Sequence, residues 1–318
     1  MNMIEKSQTF FILAAVGLGL FLGQFTWIEQ HAEAWIMPFL FLMLYGLFLT
    51  IPLQGLKQAF HKRTFVSTSV LMNFVWTPLL AWGLGALFLS DHPALWLGFI
   101  LLLVTPCTDW YLVFTSIAKG NVSLSTSILP VNLLLQVTLL PVYLWIFSGT
   151  MGTFEGAIIL EVILFLAVPF VLATLTRYLF RQKQKILEQK VVPFFASSQI
   201  VFLCLAITAM FASEASYLLT NLQVILLMLL PLGLFYLINF FLAQGLGKVF
   251  AFPVKDIISL NMTTIARNSP IALAIVLTAF PDQPLIALAL IIGPLLELPV
   301  LALLAQVLLK INNSPKQS

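Results

Sequence analysis

Three places in this chain put reactive or charged groups among apolar neighbours. They are Pro106, Cys107, Thr108 and Asp109 in VTPCTDWY, Arg267, Asn268, Ser269 and Pro270 in ARNSP, and Glu297 in GPLLELPV. A thiol is a soft ligand. A guanidinium is permanently charged and offers a planar fork of donors, and a carboxyl group can hold a proton. An Asp or Arg at the centre of a membrane helix costs on the order of 3 kcal/mol on insertion scales, so such groups should compensate one another. Asp109 with Arg267 is the expected pair, either lining a polar pathway or tying two helices together as a fixed salt bridge. Glu297, bracketed by Pro294 and Pro299, is the candidate proton carrier.

The elements that must position these groups follow from composition. The chain is 61% hydrophobic and 8% charged, which no soluble fold needs. Ten apolar runs of membrane-crossing length cover residues 9–27, 34–51, 65–89, 94–118, 122–147, 156–180, 191–212, 221–246, 257–280 and 284–309. Connections with Lys and Arg alternate with connections carrying acids alone. With both termini cytoplasmic, all of the 15 Lys and Arg residues except Arg267 fall on the cytoplasmic side or its helix ends, as the positive-inside rule requires. The chain reads as an all-α, polytopic protein of the inner or plasma membrane.

Composition also removes several classes of function. Cys107 and Cys204 have no metal-ligand spacing, and His31, His61 and His92 are scattered through connecting segments, so no structural metal, cofactor or enzyme chemistry is expected. The net charge of +3 reads as membrane topology and attraction to the lipid bilayer, not as nucleic-acid binding. RQKQKILEQK reads as an amphipathic cytoplasmic linker between two halves.

Ten spans divide into two repeats of five, residues 1–150 and 151–318, within a single transmembrane transporter domain. An odd-numbered repeat used twice must be inverted, which is a transporter signature. TPCTD in the fourth span has its counterpart in ARNSP in the ninth, and LPVNLLLQVTLLPVYL in the fifth in IIGPLLELPVLAL in the tenth. Proline inside a span frees a backbone carbonyl, which persists in a membrane only where protein or water satisfies it. The fourth and ninth helices should therefore break near mid-membrane, at Pro106 and Pro270. The freed groups, with Cys107, Thr108, Asp109, Arg267, Asn268 and Ser269, would line a small polar chamber. Asn73, Asn132 and Gln136 either line it or pack between helices. Glu161 sits near the extracellular end and reads as structural, and Cys204 as a small core residue.

Four motifs, PCTDWYLVF, AKGNVSLSTSILPVNLLLQ, ARNSPIALAIVLTAFP and GPLLELPVL, resemble the arsenical-resistance branch of the bile acid:sodium symporter superfamily, over nearly the whole chain. The resemblance implies ten helices in two inverted five-helix repeats, split into panel and core domains with crossed, broken fourth and ninth helices. It implies a secondary transporter working by alternating access, exporting arsenite or antimonite against protons. Cys107 and Glu297 match that branch's fourth-span cysteine and tenth-span glutamate. Two positions depart from it: Pro106 stands where arsenite exporters usually have arginine, and Pro270 where they have a second acid. Sodium-coupled relatives place a glutamate and a glutamine where this chain has Thr263 and Arg267. A fixed cation there opposes sodium, so coupling to protons, or to no ion, is expected. The alternative is a sodium- or proton-linked carrier of a small organic anion, with Arg267 as the anion's partner.

Overall fold

The computed structural model describes residues 3–50, 62–107, 110–147, 157–213, 215–216, 222–280 and 283–312. Its helices are α1 (Met3–Leu22), α2 (Thr26–Thr50), α3 (Arg63–Phe88), α4 (Pro93–Leu103), α5 (Trp110–Ile117) and α6 (Val122–Phe147). After these come α7 (Ala157–Leu179), α8 (Leu187–Ser213), α9 (Leu222–Val249), α10 (Val254–Ile265), α11 (Ser269–Ala279) and α12 (Pro284–Asn312). No strand occurs among the described residues. Five helices there are long and apolar enough to cross a membrane: α2, α3, α6, α8 and the Leu226–Val249 part of α9. The expected fourth and ninth spans are each two short helices, α4 with α5 and α10 with α11. Neither half alone reaches the roughly twenty residues a crossing needs.

The reasons for the breaks differ. Pro106 lies in the gap between α4 and α5, as expected. Pro270 is the second residue of α11, where a missing N–H costs nothing because the first turn has no acceptor for it. The ninth-span gap is instead Ala266–Asn268, where Ala266 takes an extended conformation. The polar connection after α7 is itself helical, through Arg181–Lys183, Gln184–Ile186 and a wide π-turn at Leu187–Val191 that opens α8. Leu187 is buried there, which anchors a segment that otherwise reads as solvated.

The chain divides into two compact units. One comprises Met1–Ile51, Phe154–Val224 and Pro270–Ile291, the other Pro52–Thr153, Ile225–Ser269 and Ile292–Ser318. In the first, α8 packs between α1 and α2, and α2 also packs on α7. Gly19 and Gly23, spaced as in GxxxG, let α1 approach α8 closely; a Cβ on Gly19 would meet the Thr208 carbonyl oxygen at 2.6 Å. Arg177 Nη2 donates to the carbonyl of Leu49 at 2.6 Å, in the last turn of α2, where a cation opposes the helix dipole favourably.

The second unit carries the polar clusters. Its apolar centre includes Phe65, Met72, Leu124, Ile128, Ala243 and Leu260. α10 is buried from Asp256 through Ile265 and α4 from Leu97 through Leu103, so both broken helices end in the interior. α3 is interrupted by a π-turn at Met72–Trp76. Pro78 follows, and its missing N–H removes the usual i→i−4 donor to the Phe74 carbonyl. Tyr143 Oη donates to that carbonyl at 2.6 Å, which fixes α6 against the bulge.

A polar clasp holds α6 to α10. Asn121 Oδ1 caps α6 by accepting from Leu124 N at 3.1 Å, and its Nδ2 donates to Asp256 Oδ1 at 2.7 Å. Lys62 Nζ donates to Asp256 Oδ2 at 3.0 Å. Asn121→Ala removes the cap, worth about 1 kcal/mol, and a donor to a buried carboxylate, worth about 1.5–3 kcal/mol. We expect a lower unfolding temperature for the detergent-solubilised variant. An unchanged transition would show that Asp256 is satisfied without Asn121.

Candidate functional site

The site is the place where the two gaps meet. Residues Pro106 and Arg267 form an antiparallel bridge. Cys107 N donates to the Ala266 carbonyl at 3.0 Å, and Asn268 N to the Thr105 carbonyl at 2.7 Å. This two-residue sheet answers the difficulty of breaking a helix in a membrane: each gap supplies the acceptors that the other needs. The gaps therefore stabilise one another, and neither is tolerable alone.

Bridging leaves the carbonyl ends of α4 and α10 facing each other, each with the partial negative charge of a helix C-terminus. Arg267 occupies that position. Its Nη1 donates to the Leu103 carbonyl at 2.8 Å and its Nη2 to the Thr264 carbonyl, so one guanidinium closes both half-helices. Its carbon lies 5.0 Å from the centre of the Phe235 ring, a cation–π distance. The Arg267 backbone N–H donates to Glu297 Oε1 at 2.9 Å. α12 reaches this close because Gly293, one turn before Glu297, has no side chain; a Cβ there would meet Leu102 Cδ1 at 2.5 Å and Ser269 Oγ at 3.0 Å.

A second polar group adjoins the crossing. Asn73, on the π-turn of α3, donates through Nδ2 to the Thr263 carbonyl at 3.3 Å, and Asn132 Nδ2 to Thr263 Oγ1 at 3.2 Å. Arg267 Nε, Ser269 Oγ, the amide oxygens of Asn73 and Asn132, and both amide atoms of Gln136 are buried with no partner among the described residues. Each such atom costs about 1–3 kcal/mol if nothing else satisfies it. Among the described residues no three His, Cys, Asp or Glu groups gather. Among the described residues, the chemistry at the crossing is that of one thiol, one guanidinium, one carboxyl and several amides and hydroxyls.

The family profile described as the sodium bile acid symporter family matches residues 37–221, more than half of the chain. The chain belongs to the sodium bile acid symporter family. It is a multi-pass membrane transporter of that family. It is 22% identical to the arsenical-resistance protein Acr3 of Corynebacterium glutamicum, over 94% of this chain and 87% of that protein. It is 24% identical to the arsenical-resistance protein Acr3 of Alkaliphilus metalliredigens, over 95% and 91% respectively. An uncharacterized sodium-dependent transporter of Bacillus subtilis, YocS, is 26% identical over 77% of this chain and 76% of its own length.

In this member of the sodium bile acid symporter family, Cys107, Arg267, Asn268, Ser269 and Glu297 come together at the crossing, with Pro106 in the bridge. All of these described residues are buried. Thr263, Asn73 and Asn132 are joined by hydrogen bonds beside it, and Gln136 is buried one helical turn further along α6. Thr108 and Asp109 lie outside the described residues, and so does the expected Asp109–Arg267 pair. The side chain of Glu161 is outside them too. The sequence reading missed the main-chain acceptors of Arg267, the ring of Phe235 and the role of Gly293. The signal for the first was present: two prolines and a lone arginine in paired breaks imply exposed carbonyls that need a donor.

Proposed function

We propose that this transporter exports trivalent arsenic or antimony, as arsenite or antimonite, by alternating access driven by protons and without sodium. The observation that carries this reading is the seat of Arg267. The guanidinium takes the two carbonyl helix ends where a coupling cation would otherwise be favourable, and it supplies the positive charge permanently. Support for the cargo comes from Cys107 at the crossing and from the similarity to the two arsenical-resistance proteins over nearly their full length. Substrate would bind among Cys107, Thr108, Asp109, Arg267, Asn268, Ser269 and Glu297, with Glu297 carrying the proton. The finer architecture belongs to the same proposal: ten spans with cytoplasmic termini in the plasma membrane, in inverted repeats 1–150 and 151–318, with panel and core domains. Its support is that breaks fall in the fourth span of each five. The test is expression in arsenite-sensitive cells that lack their own exporter, where intracellular arsenic should fall and growth recover; unchanged arsenic would overturn the assignment.

Trivalent arsenic is thiophilic, and one thiol gives a bond that can be released on the other side. Serine keeps the size and removes the sulfur. Cys107→Ser should lower arsenite efflux at least about tenfold, or roughly 1.4 kcal/mol, at unchanged membrane expression, while Cys204→Ser transports normally. Equal efflux by Cys107→Ser and the parent would remove the thiol from the mechanism.

A second reading, export or uptake of a small organic anion, is favoured by the buried Arg267 Nε and Ser269 Oγ, neither of which has a partner among the described residues. An anion could accept from both. Flux of a carboxylate that Cys107→Ser leaves intact would select this reading.

A further inference from the structure

A cavity lies away from the crossing, at the opposite end of α10. It has a volume of about 300 Å³ and is lined by Phe240, Phe241, Gln244 and Lys248 of α9, by Val254, Ile257 and Ile258 of α10, and by Leu308 and Ile311 of α12. Its size is at the lower end of small-molecule sites, about 300–1,000 Å³. The walls are almost wholly apolar, and Phe241 and Ile311 are exposed at its edge. Such a wall in a membrane protein takes a hydrocarbon chain.

One end of the cavity has a different character. Lys248 lines it, in the last turn of α9. Lys255 is adjacent in sequence to the lining residue Val254, and Lys310 to Ile311; all three lysines are exposed. The one ion pair among the described residues is Lys62 with Asp256, so the acid nearest this end in sequence already has its partner. Val254 opens α10, and the first turn of a helix presents N–H groups and the positive end of the dipole to an anion. These charges lie on the face that the distribution of Lys and Arg assigns to the cytoplasm, whose leaflet attracts basic residues through its anionic lipids.

We propose that this groove is a binding site for an anionic phospholipid, with an acyl chain against Phe240, Phe241, Ile257 and Leu308 and the phosphate at Lys248 beside the start of α10. The occupant is a lipid and not a soluble phosphate, because the apolar wall is the larger part of the site. It is anionic and not zwitterionic, because the one charged residue in the lining is the exposed Lys248, with Lys255 and Lys310 next in sequence to lining residues, and Asp256 is already paired with Lys62. The site also bears on transport. α10 begins at the lipid and ends at the Thr264 carbonyl held by Arg267, and α12 carries Leu308 into the groove and Glu297 into the crossing.

The test is native mass spectrometry of the full chain in detergent, with dioleoyl phosphatidylglycerol or dioleoyl phosphatidylcholine added at equal concentration. At least about fivefold greater retention of phosphatidylglycerol is expected. Lys248→Gln should abolish that preference, and Ile257→Trp, which fills the groove, should reduce retention of both lipids. Lys190→Gln, which removes a cytoplasmic charge elsewhere, should leave the preference intact. Equal retention of the two lipids by the parent, or a preference that survives Lys248→Gln, would overturn the proposal. Full displacement of phosphatidylglycerol by millimolar inorganic phosphate would also overturn it, since the acyl chain would then contribute nothing.

Discussion

Arg267→Met abolishes transport at every sodium concentration and sharply lowers the yield of folded protein. The substitution keeps an apolar stem of similar length and removes the guanidinium, so the carbonyls of Leu103 and Thr264 both lose their donor. A buried acceptor without a partner costs about 1–3 kcal/mol, and the cation over Phe235 adds about 2 kcal/mol when desolvated. The sum is a large part of a typical domain's stability. Arg267→Lys keeps the charge but cannot fork to two carbonyls, so it should recover folded protein partly and transport less. Yield is read by size-exclusion chromatography of a fluorescent fusion, and transport by efflux at matched expression. Normal folding of Arg267→Met would show that the two carbonyls are satisfied without the guanidinium.

The second large effect is at Glu297. Glutamine retains a side-chain oxygen that can accept from the Arg267 backbone N–H, a bond of 2.9 Å in the parent, so Glu297→Gln should fold nearly as well as the parent. It cannot release or carry a proton. Net efflux driven by a proton gradient should fall at least about a hundredfold, or roughly 2.7 kcal/mol in barrier terms. Exchange of labelled for unlabelled substrate at equal pH should persist, because exchange needs no net proton movement. Glu297→Ala should lose both processes and, in addition, about 1–3 kcal/mol of stability from the orphaned N–H. Loss of exchange in Glu297→Gln at normal folding would place Glu297 in substrate binding instead of coupling.

Much of this site was legible before any coordinates. Proline and polar residues inside two apolar runs located both breaks, because a membrane gives freed backbone groups no water and so makes such interruptions informative. The same logic groups Cys107 with Asn268 and Ser269, charge compensation adds Arg267, and Glu297 is matched to Cys107 through the family resemblance. What the residues could not display was the direction of each donor. Charge compensation matches Arg267 to Asp109, which lies outside the described residues; the bonds described for Arg267 run to main-chain carbonyls that become acceptors only once both helices break and cross. The π-turn of α3 left no periodic trace; Pro78, four residues after the Phe74 carbonyl, was its one signal. Gly293 carries no chemistry, and its meaning appears only when Leu102 and Ser269 stand against it. Pro270 was read as the breaker of the ninth helix because proline interrupts helices, but at the second position it starts one.

The central claim is that a fixed guanidinium between two helix ends replaces a coupling sodium ion. The direct measurement is arsenite flux into proteoliposomes of the parent chain, with sodium replaced by choline at constant ionic strength and pH, and then with a proton gradient imposed. Flux should be unchanged by the replacement and should rise with the proton gradient. A steep, saturable requirement for sodium would contradict it.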